Sequence, residues 1–436
     1  MRTMRTMRTS IFFTRPPLGA RTSSFAPLLS ARSALASAAR AAAPFTPDSP
    51  LKFAGAAATA LAAVYFYTHE SEEAVIEGMC STFERGGMPA WDRMFLGDLA
   101  PGRVPRSALQ AELLALLSPL GEPDAFRFAA VVGASGTGKS TAVRKAVRAA
   151  GSPGAKGAVY FLAPTGITSF STDLMRALGY REPFSLLSPF RHLVFKDAKE
   201  TFGPQSALPQ PVASWRALAP LLQRAAERFA LRHGRPAVLV LDAMDLVAKK
   251  DAIFFLEVQD FAKDCADKGI LRIVLVLSDG RALALLQSSS ALTRATEPCE
   301  VGDIGDGEAV AYLEGLGVAT ERAKALVEEV AGGRFPLLQA HGKSARPIED
   351  IVQQLHNGTK EALKAVHVAP IDPLLKLLLE QGSVRSGDAL DLLAEDKVTA
   401  LLGRNILAAH PDGTYTFHSR HVASFVAARE AAARAA

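Results

Sequence analysis

Residues 131–141 read Val131-Val132-Gly133-Ala134-Ser135-Gly136-Thr137-Gly138-Lys139-Ser140-Thr141, which fits the pattern G-x-x-x-x-G-K-[ST]. In such a loop the glycines let the backbone curl, so that successive N–H groups point inward at a phosphate. In such a loop the lysine, here Lys139, binds the terminal phosphates, and the hydroxyl, here that of Ser140, contacts a magnesium ion. The flanks support this interpretation, because residues 128–132 predict a buried strand and residues 140–149 predict a helix. The sequence therefore predicts a nucleotide-binding site.

The overall composition is that of a folded protein. The chain has 436 residues, 49% hydrophobic and 21% charged, which leaves room for two or three domains. Three cysteines, Cys80, Cys265 and Cys299, lie far apart and lack C-x-x-C spacing, so neither a zinc site nor a disulfide framework is indicated. The net charge is +5, but residues 1–47 hold seven arginines and no acid, and without them the charge is −2. We therefore expect no nucleic-acid-binding surface on the remainder.

The first 47 residues have the composition of an organelle transit peptide, rich in Arg, Ser and Ala and without an acid before Asp48. We interpret this leader as mitochondrial; a chloroplast transit peptide and a disordered basic tail are the alternatives. Residues 51–67 carry no charge after Lys52 and predict a membrane anchor, with the mitochondrial inner membrane as its expected place. A helix of the leader or a packing helix is the alternative.

Three regions follow the leader. We predict an α/β core over residues 75–304, a helical lid over 305–366 and a winged-helix domain over 367–430. In the core, residues 75–125 are predicted to hold a connector, marked by glycines and prolines between Gly86 and Pro105, and then a helix at Ser107–Leu117. Further strands are predicted at 158–162, 237–241, 272–277 and 299–301.

The lid and the last domain are predicted from helical periodicity. Lid helices are expected at 307–316, 321–330 and 348–355, and the last domain has helices at 373–381, 388–393 and 396–402 before a hairpin that turns at 411–413. Three helices and a hairpin indicate a winged helix. Its third helix mixes Glu395 and Asp396 with Lys397 and Arg404. Because this gives no basic face, we favour a protein-contact module over a DNA-binding one.

Asp242 ends the continuous apolar run Ala237-Val238-Leu239-Val240-Leu241. Such a run predicts a strand buried in a parallel sheet, with Asp242 at the carboxyl edge beside the phosphate loop. A carboxylate there can hold the water shell of a magnesium ion, which Ser140 would also contact. An apolar strand that ends in Asp is common by itself, but downstream of a phosphate loop it indicates a nucleotide site.

Asp245 is our candidate for the base that activates the attacking water. Many ring-forming ATPases place a glutamate directly after the magnesium aspartate, whereas this chain has Ala243. A residue three positions beyond the strand end points back at the nucleotide if the chain turns, and Asp245 is the next acid available. The alternative is a solvated turn carboxylate in a protein that binds ATP but hydrolyses it poorly.

The order of these features resembles that of the archaeal-ATPase group of STAND-type P-loop ATPases. The features that carry the resemblance are the phosphate loop, the strand end Asp242-Ala243-Met244-Asp245, the strand before Ser278, the breaker Gly332-Gly333-Arg334-Phe335-Pro336 and the winged helix. The resemblance covers residues 100–430. Those ATPases often have a second acid where this chain has Leu246, a departure that bears on hydrolysis. The chain is also similar to the ATPase part of the fungal mitochondrial escape protein 2 family, mainly in its leader and predicted anchor.

The resemblance implies three further site residues or segments. Ser278 would contact the terminal phosphate. Val104-Pro105-Arg106 lies where related ATPases wrap the adenine, and a plain linker is the alternative. Arg294 is the arginine best placed to reach the phosphate of a neighbouring subunit, and a surface arginine is the alternative.

Together these features predict an α/β P-loop ATPase that binds ATP and Mg²⁺, with a parallel sheet in the order 5-1-4-3-2, a helical lid and a winged helix. We expect it to act as a nucleotide-driven conformational switch. Its expected partners are the nucleotide, another protein or a second copy, and a membrane through residues 51–67. The alternatives are a nucleotide-binding scaffold with little hydrolysis and a DNA-associated ATPase that resembles origin-recognition proteins.

Overall fold

The computed structural model describes residues 72–86, 104–117, 127–150, 157–179, 214–278, 280–288, 295–369 and 372–435. The predicted transit peptide, the predicted anchor and Arg294 lie outside these ranges. Within them, every helix is too short or too polar to traverse a bilayer.

Five parallel strands form the central sheet, and their order across it is β2-β3-β4-β1-β5. This is the predicted order read from the opposite edge, and the predicted α/β class is confirmed. The strands are β1 (Ala129–Val132), β2 (Ala158–Leu162), β3 (Ala237–Asp242), β4 (Leu271–Val276) and β5 (Cys299–Glu300). Strands β1, β3 and β4 are buried along their whole length, as expected where helices cover both faces of a parallel sheet.

Alternating side chains along the strands feed two cores, one on each face of the sheet. Leu239 and Ile273 point to one face, and Val240 and Val274 point to the other. The helices of this region are α1 (72–85), α2 (Ser107–Leu117), α3 (Lys139–Ala150), α4 (Ile167–Ala177), α5 (Trp215–His233), α6 (Met244–Lys250), α7 (Ala252–Asp267) and α8 (Gly280–Ser288). Helices α2 and α3 cover the second face, and the others contribute to the first.

Helix α1 was not predicted, because within residues 75–125 the sequence analysis identified only a connector and the helix at 107–117. Its apolar side is fully buried in the first core and consists of Ile76, Met79, Cys80 and Phe83. Its acidic side faces α5, where glutamates and arginines form a ladder of ion pairs: Glu72 and Glu73 with Arg224, Glu73 and Glu77 with Arg228, and Glu77 and Glu84 with Arg232. The glycines and prolines that indicated a connector lie after this helix.

Two helical regions follow the sheet. We call residues 306–365 the lid segment; it contains α9 (Asp306–Gly315), α10 (Thr320–Leu326) with a π-helical turn (Val327–Ala331), α11 (Phe335–Gly342) and α12 (Ile348–Ala365). We call residues 372–435 the C-terminal module; it contains α13 (Pro373–Gln381), α14 (Ser386–Leu392), α15 (Glu395–Gly403), α16 (Arg420–Ala435), and the strands β6 (Val384–Arg385), β7 (Leu407–Ala409) and β8 (Thr414–Phe417).

The C-terminal module contains more structure than the sequence predicted. Its three strands form an antiparallel sheet in the order β6-β8-β7, whereas only a hairpin was expected. Helix α16 was not predicted, and it extends past residue 430 to Ala435. The lid helix α12 likewise continues past residue 355 to Ala365. The assignment of this module as a winged helix stays a prediction.

The C-terminal module packs against the core at the carboxyl edge of the parallel sheet. A Cβ atom on Gly280, at the start of α8, would lie 2.8 Å from the Cβ of Ala409 on β7. The Nδ1 atom of His410 lies 2.5 Å from a carboxylate oxygen of Glu300 on β5. Gln287 donates from Nε2 to the carbonyl of Pro411 over 2.9 Å. These contacts bring β7 and its turn to the edge where the phosphate loop lies.

The packing of α1 predicts that this helix stabilises the core. Phe83 is fully buried against Phe229, with 6.1 Å between the ring centres. We expect Phe83→Ala to lower the free energy of unfolding by about 3–5 kcal/mol, because it removes buried surface and leaves a cavity. The matched control is Leu231→Ala on α5, since Leu231 is 88% exposed and should change stability by less than about 0.5 kcal/mol. Urea unfolding of the full chain measures both, and equal effects would contradict the packing role of α1.

Candidate nucleotide-binding site

The predicted phosphate loop connects β1 to α3, and all nine of its predicted binding residues, 133–141, lie in this turn or the first turn of α3. Gly133 has φ of 147°, and a Cβ atom there would lie 2.3 Å from the carbonyl oxygen of Val301. Only glycine fits this position, because a side chain would clash with the neighbouring backbone. Thr137 closes the turn, donating from Oγ1 to the carbonyl of Ala134 over 3.1 Å.

Lys139 is a buried cation that meets no carboxylate at ion-pair distance in the described parts of the chain. Its side chain is 3% exposed, and Nζ donates to the carbonyl of Ala134 over 2.7 Å. Burial lowers its pKa to about 8, against the opposing charges of Asp245 and Asp242. An ammonium group held away from water with only a carbonyl as partner is suited to an anionic ligand. The loop and Lys139 therefore fit the phosphates of a nucleotide.

Asp242 lies at the carboxyl end of β3, as predicted, and is 1% exposed. Its Oδ1 atom accepts from the backbone N–H of Ala243 over 2.7 Å, and its Oδ2 atom accepts from the hydroxyl of Tyr160 over 2.5 Å. Each carboxylate oxygen has a second lone pair, so these bonds leave acceptor capacity for metal-bound water. Asp242 and the Ser140 hydroxyl are oxygen donors of the kind that Mg²⁺ prefers, and they would hold it.

Asp245 and Ser278 are brought together. The backbone N–H of Ser278 donates to Oδ1 of Asp245 over 3.2 Å. The chain does not make the simple turn expected after Asp242: Ala243 adopts a left-handed conformation with φ of 60°, and α6 begins at Met244. Asp245 thus lies in the first turn of α6, and its charge acts on Lys139. The catalytic roles of both residues stay predictions.

Arg334 is a site residue that the sequence analysis did not identify. It is 5% exposed and donates from Nη1 to the carbonyl of Ser135 in the phosphate loop over 2.6 Å. Its Nε atom lies 2.7 Å from a carboxylate oxygen of Asp303, and Nη2 donates to the backbone carbonyl of His418 in the C-terminal module. The signal was present in the breaker Gly332-Gly333-Arg334, where a charged residue follows two glycines. Arg334 therefore joins the loop, the lid segment and the C-terminal module.

The start of α11 lies against the phosphate loop. A Cβ atom on Gly136, whose φ is 88°, would lie 2.7 Å from Cγ of Pro336. The ring of Phe335 comes within 3.1 Å of the corresponding position on Gly138. These glycines leave no space between the loop and the lid segment, so a movement of one is expected to move the other.

An open cleft of about 520 Å³ lies beside the loop, in the size range of small-molecule sites. Its walls come from the loop, the segment after β5, the breaker and the C-terminal module, and include Thr137, Asp303, Arg334 and Arg420. Arg106 is close by and donates to the carbonyls of Thr137 and Gly302 over 3.1 and 3.0 Å. The segment Val104-Pro105-Arg106 thus lies beside the loop, although its contact with an adenine stays a prediction.

His418 belongs to the C-terminal module and contacts the region around the phosphate loop. Its Nε2 atom lies 3.0 Å from Nη1 of Arg334, and its side chain borders a small cavity beside Gly133, Ala134 and Ser278. Burial, followed by the charge of Arg334, lowers the pKa of His418 to about 3. The ring is therefore neutral at physiological pH and can accept a hydrogen bond from Arg334.

The sheet, the loop and the buried Lys139 and Asp242 define a P-loop nucleotide-binding domain. Residues 104–259 match the family described as AAA ATPase domain, so the chain contains a P-loop ATPase domain of the AAA type. This confirms the predicted resemblance to P-loop ATPases of the archaeal-ATPase-like group. No sequence match to a curated protein was found.

Several solved structures are similar to this chain. The Walker-type ATPase PABY2304 of Pyrococcus abyssi is 17% identical with a TM-score of 0.45, covering 76% of this chain and 99% of its own. The ORC2 protein of Aeropyrum pernix, in ADPNP–ADP complexes, is 13% identical with a TM-score of 0.37, covering 78% and 98%. CDC6P from Pyrobaculum aerophilum is 14% identical with a TM-score of 0.36, covering 77% and 96%.

The low pKa of Lys139 predicts that nucleotide binding depends on pH. The bound phosphates would raise this pKa. The affinity for the nucleotide is therefore highest where Lys139 is already protonated before binding, and it falls as the pH rises through about 8. We expect the affinity for ATP in EDTA to fall up to about tenfold per pH unit above that value. Titration calorimetry in buffers of different ionisation enthalpy should detect the proton uptake. Lys145→Met, an exposed lysine on the same helix, is the control that keeps this dependence, and an affinity that is flat through this range would contradict the prediction.

Proposed function

We propose that this protein is a Mg-ATP-dependent ATPase that works as a conformational switch. Binding of Mg-ATP would change the positions of the lid segment and the C-terminal module, and hydrolysis or product release would return them to their starting arrangement. The observation that carries the proposal is the contact set of Arg334, because this one side chain bonds to the phosphate loop, to the segment after β5 and to the C-terminal module. A change at the loop therefore reaches the module through a single residue.

The charges around the loop support the ATPase part of the proposal. Lys139 and the loop N–H groups would bind the phosphates, and Asp242 and Ser140 would hold the magnesium ion. Magnesium bound there would neutralise charge on the phosphates and help to orient them. Asp245 would accept the proton of the attacking water, and Ser278, whose N–H bonds to Asp245, would orient the terminal phosphate.

The contacts of the C-terminal module support the switch part of the proposal. Arg420 on α16 donates to both carboxylate oxygens of Asp306 on α9, over 2.9 and 3.0 Å, and to the carbonyl of Val327. Together with the contact of His410 with Glu300, these bonds attach the module to both the lid segment and the core. All of them are polar and partly exposed, so they can exchange for water at modest cost when the module moves.

The location and partners belong to the same proposal. The basic leader supports import into mitochondria, and residues 51–67 would tether the protein to the inner membrane. The partner that responds to the conformational change would be another protein or a second copy of the chain. In the second case Arg294 would reach the nucleotide of the neighbouring copy. The charge of −2 beyond the leader argues against the alternative of a DNA-associated ATPase.

Steady-state phosphate release by the full chain tests the ATPase. We expect Asp245→Asn to lower turnover by about 100-fold or more while ATP still binds, because it removes the base. Lys139→Ala should weaken binding, and Asp242→Asn should remove the dependence on magnesium. The control is Asp388→Asn, an exposed aspartate of the C-terminal module, which should turn over like the parent. If the parent protein binds ATP but releases no phosphate, the ATPase proposal is wrong and the alternative of a nucleotide-binding scaffold holds.

Energy transfer between two labels tests the switch. Lys249→Cys on α6 and Glu395→Cys on α15 provide exposed attachment sites, and the three native cysteines are buried. We expect Mg-ATP to change the transfer efficiency, and we expect Arg334→Gln to produce a shift without nucleotide, since it releases the C-terminal module from the loop. Arg404→Gln, which changes an exposed arginine of that module, should leave the efficiency unchanged. If neither Mg-ATP nor Arg334→Gln alters the efficiency, the module is not a moving part.

A further inference from the structure

A chain of hydrogen bonds connects α3 to the predicted magnesium aspartate through β2. Tyr160 on β2 is fully buried, and its hydroxyl donates to Oδ2 of Asp242 over 2.5 Å. Arg144 on α3 donates from Nε to the hydroxyl oxygen of Tyr160 over 2.9 Å, and its guanidinium carbon lies 5.2 Å from the centre of the tyrosine ring. A tyrosine hydroxyl in an otherwise apolar strand, Ala158–Leu162, thus has two charged partners.

The direction of these bonds follows from the groups involved. A guanidinium N–H can only donate, and an ionised carboxylate can only accept. The hydroxyl of Tyr160 accepts from Arg144, so its single hydrogen is directed at Asp242. The chain of hydrogen bonds, which we call the relay, therefore runs from Arg144 through Tyr160 to Asp242.

This relay restricts how the Asp242 carboxylate can rotate. The N–H of Ala243 holds one oxygen and the hydroxyl of Tyr160 holds the other, so each carboxylate oxygen has its own donor and a rotation would break both bonds. Arg144 lies four residues after Ser140 and hence on the same face of α3. The relay consequently connects Asp242 to the helix that carries Ser140, the other residue predicted to hold magnesium.

We propose that Tyr160 and Arg144 are positioning residues that fix the Asp242 carboxylate in the orientation needed for the magnesium–nucleotide complex. This inference rests on the proposed function, because it concerns the same site. Partners that orient a metal-holding carboxylate commonly change metal affinity by about 10–100-fold when they are removed. Tyr160 and Arg144 would thus contribute to the magnesium-dependent part of ATP affinity and not to the part that the loop and Lys139 supply.

The test measures the affinity of the full chain for a fluorescent ATP analogue in magnesium and in EDTA. We expect Tyr160→Phe to lower the ratio of the two affinities by about tenfold while the affinity in EDTA stays the same. The matched control is Tyr415→Phe, which removes a hydroxyl from the C-terminal module and should leave both affinities unchanged. If Tyr160→Phe weakens binding equally in both conditions, or in neither, the positioning role is overturned.

A double-mutant cycle tests whether Arg144 acts through the tyrosine. Arg144→Gln should lower the same ratio in the parent and have no further effect in Tyr160→Phe, since the relay is then already broken. Additive losses would overturn the relay. A parent that binds no analogue in either condition would overturn the proposed function together with this inference, whereas a normal magnesium response in both single variants would overturn the inference alone.

Discussion

The ammonium group of Lys139 is a positive charge removed from water, and its only hydrogen-bond partner in the described chain is the carbonyl of Ala134. Such a charge is costly unless negative groups lie near it. The negative charges of Asp245 on α6 and Asp242 on β3 act on this ammonium group. The carboxyl edge of the sheet is therefore arranged around this cation, and the two aspartates near it are those that we predict to hold magnesium and to activate the attacking water.

The neighbouring elements contact this edge of the sheet directly. Arg334 reaches the loop carbonyl of Ser135 from the beginning of α11, and the same side chain meets Asp303 and the backbone of His418. Pro336 and Phe335 lie against the loop glycines, where a β-carbon would not fit. Because packed interfaces change between discrete arrangements and deform little, these contacts support the proposed switch, in which the lid segment and the C-terminal module would move together.

Features with a local signature were predictable from the sequence. The phosphate loop, the buried strands β1 and β3, and Asp242 at a strand end all follow from short patterns of glycine and apolar residues. Side-chain contacts between distant segments that lack such a pattern were not predictable. Arg334 is 199 residues from Ser135, and Tyr160 is 82 residues from Asp242. No pattern within either segment specifies such a partner, since the fold alone brings them together. Helix α1 was missed for another reason: the glycines and prolines beyond residue 85 outweighed the helical spacing of Ile76, Met79 and Phe83.

The ladder between α1 and α5 has a consequence for how these helices find their alignment. Arg224, Arg228 and Arg232 recur at intervals of one helical turn, and so do Glu73 and Glu77. If α1 slid along α5 by one turn, most charges would meet a new partner of the same kind, and the ionic energy would change little. The charges alone therefore permit several alignments. The aromatic ring of Phe83 against Phe229, inside a close-packed interior, is what distinguishes one of them from the others.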